Sequence, residues 1–218
     1  MKSPIVGHSR KASAFTLLEL LTVIVIISIL VGMIFAAGPA IMRSARRSSA
    51  KSDMEQLVIA INSFYSEYGR YPVDPGMQGS DVFMGPGGGT SNGSLMAVLL
   101  ADPTGWNAGH KLNPKRIVFL NPSTAKESAK GPRNGLGLDG NYYDMWGNQY
   151  RIIIDTDYDN VLNSPNNKSF DYIDMGVTQN GVFNHVGGVI IVSYGEDEEM
   201  GKEGDSNYKG SDDIASWL

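Results

Sequence analysis

The feature that most constrains this chain is an unbroken apolar run over residues 15–38, FTLLELLTVIVIISILVGMIFAAG, which carries a single ionisable side chain, Glu19. As a helix rising about 1.5 Å per residue it measures roughly 36 Å, enough to cross a bilayer core of about 30 Å. The preceding residues 1–14 hold Lys2, Arg10 and Lys11 and no acid. By the positive-inside rule this leaves the N-terminus in the cytoplasm and everything beyond Gly38 on the outer face. The competing reading is a secretory signal peptide, with Ala36, Ala37 and Gly38 as small residues at a cleavage site, but such signals hold only about 7 to 15 apolar residues. A carboxylate inside such a span costs about 2.5–3.5 kcal/mol on the most lenient scale, so Glu19 calls for a partner, a function or a place near the headgroups.

Composition removes several function classes. The chain has no Cys, which excludes a disulfide framework, a cysteine zinc site and an iron–sulfur cluster. Its net charge of -5 argues against nucleic acid as a partner, because phosphate neutralisation needs clustered cations. Arg43, Arg46, Arg47 and Lys51 form a basic turn that reads as a solvated face beside lipid headgroups. His8, His110 and His185 lie in no hydrolase or metalloprotease frame, so no enzyme is expected.

Beyond Pro39 the periodicity changes. Met54, Leu57, Val58, Ile61, Phe64, Tyr65 and Tyr68 fall on one face of an amphipathic helix that Gly69 ends, with Pro72 just after. If Pro39 only kinks the helix, the element from Phe15 to Tyr68 is continuous and about 80 Å long. Residues 74–140 read as loop around a Gly-Pro-Gly cluster, with a short helix over 95–101 and a short strand over 117–120. A turn at Gly147-Asn148 then feeds a β-rich run to Ile154, and a second run covers 189–194. The two suggest an antiparallel sheet against which the Leu57, Ile61 and Phe64 face packs.

Two acidic stretches invite a cation. Asp155, Asp157 and Asp159 alternate like the opening of an EF-hand loop, but Asn160 and Asn166 stand where that loop requires Gly and Glu, which favours a polar strand end and turn. Between Glu196 and Asp213 lie eight acids and two lysines interleaved with glycines. Such a loop repels itself unless solvent or a cation screens it, and calcium, which takes six to eight oxygen ligands in flexible geometry, suits it. A disordered acidic tail is the alternative.

The string Arg10-Lys11-Ala12-Ser13-Ala14-Phe15-Thr16-Leu17-Leu18-Glu19 resembles the class III signal of type IV prepilins and type II secretion pseudopilins. The resemblance implies that a prepilin peptidase cleaves between Ala14 and Phe15, that Phe15 is methylated on its new amine, and that Glu19 is an assembly residue. Ala14 stands where that family usually has Gly. The Trp146-Gly147-Asn148 string, and a Ser193-x-Gly195-x-Asp197 start with an Asp212-Asp213-Ile214-x-x-Trp217 finish, are similar to the head and calcium loop of the major pseudopilin. This implies Asp197, Asp212 and Asp213 as calcium ligands, with backbone carbonyls over 194–201 completing the shell.

The expected fold is α+β and pilin-like, a long N-terminal transmembrane and stalk helix packed on a small antiparallel sheet head. The expected parts are a cleaved leader (1–14), a membrane and filament-core helix (15–38), its amphipathic continuation (39–69), a Gly-rich variable region (70–143) and the sheet head with its acidic loop (144–218). The resemblance further implies a structural subunit of the inner membrane with a periplasmic head, which polymerises with itself and other pseudopilins on an inner-membrane assembly platform. An adhesion or DNA-uptake pilin shares the stem, and a signal-anchored calcium-binding periplasmic protein shares the loop.

Overall fold

The computed structural model describes residues 16–86, 89–128, 131–162, 178–179, 182–183, 185–186, 188–199, 201 and 211–216. The chain divides into two compact units, Met1–Ser44 and Ala45–Leu218. Helix α1, Leu17–Tyr68, contributes to both and includes Pro39. A single proline removes one intrahelical hydrogen bond, and strong helix formers on either side carry the helix past it. Gly69 ends α1 at a φ of 67°, its N–H donating to the Tyr65 carbonyl at 2.7 Å. A left-handed residue after the last turn satisfies an orphan carbonyl, and glycine adopts it without a Cβ penalty.

The larger unit is an α+β fold. Its largest sheet has four strands: β1 (Val82–Met84), β2 (Arg151–Ile154), β3 (Val189–Ser193) and β4 (Ile214–Ala215), in that order, all neighbours antiparallel, and four two-stranded ladders accompany it among the described residues. Phe83 pairs with Ile153, Ile152 with Ile191, and Ser193 with Ile214. Side chains alternate across a strand, so Ile152, Ile154, Val189 and Ile191 share one face. They join Met54, Leu57, Ile61 and Phe64 of α1 in one core. The expected helix-on-sheet packing is present, although Tyr65 leaves that core for a ring cluster with Tyr71 and Tyr158.

The stretch read as loop contributes more than the sequence suggests. β1 is one of the sheet's two edge strands, and α2 (Gly93–Leu99) buries Leu95, Met96, Val98 and Leu99 in the same core. This helix starts two residues earlier than expected and stops at Leu99, just before Ala101 at a φ of 57°. Asn92, fully buried, ties it to the sheet side: its amide donates to the Tyr142 and Tyr150 carbonyls at 3.0 Å, and its carbonyl accepts from Tyr142 N–H. The strand expected over 117–120 is not formed. The Asn113 side chain takes both backbone groups of Ile117, accepting from its N–H at 3.0 Å and donating to its carbonyl at 2.7 Å. A side chain that satisfies the backbone locally competes with a ladder partner.

Phe64 has no exposed surface, whereas Tyr65 is 38% exposed. Phe64→Ala should therefore destabilise the protein by about 3–5 kcal/mol, against about 1 kcal/mol or less for Tyr65→Ala. Thermal unfolding followed by circular dichroism checks this, and equal losses would contradict the assigned helix face.

Candidate functional site

The smaller unit presents apolar surface that none of its own described residues covers. Every residue over 17–35 is exposed, including Leu17 at 88% and Phe35 at 77%, whereas Met54 and Leu57 on the same helix are fully buried. A contiguous apolar surface of this size marks a lipid or protein contact. Ala14 and Phe15, the expected cleavage and methylation residues, lie outside the described residues.

Glu19 is not the isolated carboxylate its surroundings suggest. Its Oε2 accepts from Thr16 N–H at 2.9 Å and from the Thr16 hydroxyl at 2.8 Å, while its own N–H donates to Thr16 Oγ1 at 3.2 Å. This is a reciprocal capping box at the start of α1. It satisfies orphan N–H groups at the positive end of the helix dipole, where an acid is favoured. The sequence reading gave Thr16 no role, although the spacing of Thr16 and Glu19 ahead of an apolar run carries that signal.

The C-terminal acids converge. Asp212 Oδ2 accepts from the Glu196 and Asp197 amides, the latter at 3.2 Å, and Asp197 Oδ1 accepts from Glu199 N–H at 2.9 Å. Gly195 makes the approach possible: its φ is 73°, and a Cβ there would lie 2.6 Å from the Asp212 carboxyl carbon. Asp213 is fully buried, and its Oδ2 accepts from Gly201 N–H at 2.7 Å. Its Oδ1 and the Ser211 hydroxyl are sealed from solvent, and apart from each other neither has a hydrogen-bond partner among the described residues. Burial pushes the Asp213 carboxyl up to about 7, with the charges of Asp212 and Asp197 adding to the rise. Hydrogen bonds from Gly201 N–H and the Ser211 side chain oppose it less strongly. Burial also raises Asp197. Crowded acids with buried oxygen could hold a hard cation, although among the described residues the trio whose carboxylate oxygens lie within 4.8 Å of one another is Asp81, Asp155 and Asp157 rather than Asp197, Asp212 and Asp213. Trp217 and the acids at 203 and 205 fall outside the described residues.

The basic turn of α1 faces this loop. Arg46 Nη1 lies 3.8 Å from Glu196 Oε1, and Arg47 Nη2 donates to the Asp213 carbonyl at 3.4 Å. Arg46 and Arg47 therefore meet the two ends of the acidic loop while Arg43 and Arg47 remain exposed, as expected of a solvated face. Exposed pairs of this kind contribute about 0–1 kcal/mol, so they orient the loop more than they stabilise it.

A second acidic group forms around Asp155, where carboxylate oxygens of Asp81, Asp155 and Asp157 lie within 4.8 Å of one another. Asp155 spends its oxygens on the turn that follows, accepting from Tyr158 N–H at 2.6 Å and Asn160 N–H at 2.9 Å. That is the arrangement of a polar strand end and turn. Asp81 comes from the segment leading into β1 and could not be placed there by sequence spacing.

Residues 9–35 match the prokaryotic N-terminal methylation motif, so the chain carries a type IV pilin-like N-terminal signal. No curated protein and no solved structure matches the chain. The match covers residues 9–14, the expected cleavage position at Ala14 and Phe15, Glu19 and the exposed apolar residues over 17–35.

In the absence of divalent cations, Asp213 makes stability depend on pH with a defined sign. Its folded value of about 7 lies above the ordinary carboxylate value of 3.8, so between about pH 4 and 7 the folded state binds the extra proton. The contribution is full below about pH 4 and lost as pH rises through 7. Asp213→Asn should flatten the fall in melting temperature across that window when the full chain is melted in detergent with chelator. An unchanged slope in the variant would assign the dependence to other acids.

Proposed function

We propose that this chain is a pseudopilin, a structural subunit that assembles through α1 into a periplasmic filament serving type II protein secretion. The observation that carries the reading is the run of exposed apolar side chains over 17–35, lying within the matched methylation motif. A bilayer covers that surface before assembly, and the helices of neighbouring copies cover it in a filament. Processing between Ala14 and Phe15 by a prepilin peptidase creates an ammonium group at the start of an apolar helix. Glu19 of an adjacent copy neutralises it when the two helices reach the correct stagger. Such a pair adds little net stability, but either charge alone in hydrocarbon is penalised, so the pair selects one register. Glu19 exchanges its Thr16 contacts for this partner.

The secretion role, as distinct from adhesion or DNA uptake, draws on the C-terminal loop. Calcium fits it: Asp197, Asp212 and Asp213 would hold the ion, and its charge would replace the proton that burial favours on Asp213. The chain's acidic balance and lack of Cys favour this reading over a DNA-uptake or disulfide-bonded adhesive pilin. The role is structural and non-enzymatic, and the partners are copies of this chain, other pseudopilins and an inner-membrane assembly platform.

Glu19→Ala tests the filament reading. The variant should enter the membrane at least as well, because the penalty for a charge in the span is gone. Removing one member of a buried pair costs about 3–5 kcal/mol, so sheared filament should fall by more than about a hundredfold while processing continues. Filament yield equal to that of the unmodified chain would show that register is set by apolar packing alone.

A further inference from the structure

We infer that Asp144, with Ser193 and Asn148, is the scaffold that positions the C-terminal acidic loop for a divalent cation, an inference that rests on the calcium reading above. Asp144 is fully buried. Its Oδ1 accepts from three successive amides, Trp146 at 2.9 Å, Gly147 at 2.8 Å and Asn148 at 2.9 Å, and its Oδ2 accepts from the Ser193 hydroxyl. One carboxylate thus closes the Trp-Gly-Asn turn and fastens it to the end of β3. A charged acceptor with several donors makes the strongest kind of neutral-partner hydrogen bonds and fixes what it touches.

The Ser193 hydroxyl, held by Asp144, and the side chain of Asn148, whose backbone N–H Asp144 holds, reach the same residue. The Ser193 hydroxyl accepts from Gly195 N–H at 3.2 Å, and the Asn148 amide donates to the Gly195 carbonyl at 2.8 Å. The two backbone groups of Gly195 are therefore tied to one buried acid through two side chains. Gly195 is the residue over which Asp212 closes, and the next two amides, Glu196 and Asp197, are those that Asp212 Oδ2 accepts. The path runs from the buried turn to Gly195 and from there to two of the three expected ligands.

This scaffold answers a physical need. Asp197, Asp212 and Asp213 repel one another, and a free loop would spread them and charge the ordering cost to the ion. Support from a rigid second layer lowers that cost, as the groups behind metal ligands generally do. Asp144 itself is not a ligand, because its oxygens are taken by the four donors named. Asn148 and Ser193 are positioning residues that act through Gly195.

Calcium chloride titrated into the full chain in detergent micelles, followed by calorimetry, tests the inference with Asn148→Ala. Asn148 is half-buried. Losing its one bond to Gly195 should weaken calcium binding about fivefold, the affinity equivalent of a neutral hydrogen bond. The melting temperature in chelator should stay within error of the unmodified chain, and Asn148→Gln, which keeps an amide N–H, should recover part of the affinity. Hydrogen exchange at the Glu196 and Asp197 amides should quicken in the calcium-free Asn148→Ala chain. Asp197→Ala should abolish binding and Asp155→Asn should leave it intact. Unaltered affinity and exchange in Asn148→Ala, with binding lost in Asp197→Ala, would overturn the positioning role and leave the calcium site standing. A melting temperature that falls in step with affinity would reduce the residue to a general structural one and also overturn it. No calcium heat from the unmodified chain would overturn this inference and the calcium reading together.

Discussion

The uncovered apolar surface over residues 17–35 governs everything else in this protein. Covering it is favourable in proportion to its area, at about 25 cal/mol per Å² of apolar surface. Such a surface suits cover by lipid or by other helices, and the proposed subunit would use the two in turn, the bilayer before assembly and neighbouring helices after it. The capping box of Thr16 and Glu19 sits at the start of this surface. It gives the one acid in the span a local partner while no neighbour is present.

The larger unit is organised to hold α1 by its other half. Met54, Leu57, Ile61 and Phe64 join the sheet and α2 in a single core. Around it the polar groups perform the fastening: Asn92 links α2 to the strand side, Asp144 closes the turn before β2, and Arg46 and Arg47 meet the acidic loop. The loop is thus balanced from two sides, by arginines of the helix and by the turn beneath Gly195. A cation between its carboxylates would complete that balance.

Much of this was legible in the sequence because periodicity survives folding. The spacing of Met54, Leu57, Ile61 and Phe64 fixed a helix face, and the β-branched runs at 151–154 and 189–193 fixed two strands that pair as expected. Strand β1 was hidden because Val82, Phe83 and Met84 are a short run beside a glycine cluster, without alternation to reveal them. Residues 117–120 misled because Ile117 satisfies its backbone through Asn113, a contact that spacing does not report. In the site, Asp197, Asp212 and Asp213 were singled out through the resemblance of the C-terminal segment to a calcium loop, and the structure shows Asp212 Oδ2 accepting from the Asp197 amide. The arginines at 46 and 47 were not legible as contacts of that loop, because their partners lie some 150 residues away along the chain.

The claim that joins these parts is that the exposed helix belongs to a processed, filament-forming subunit. Mass spectrometry of the mature N-terminus, on protein recovered from the membrane fraction of cells with an active prepilin peptidase, tests it most directly. The predicted result is a chain that begins at Phe15 and carries a methyl group on its amine. A chain beginning near Gly38, or one that keeps its first fourteen residues, would contradict it.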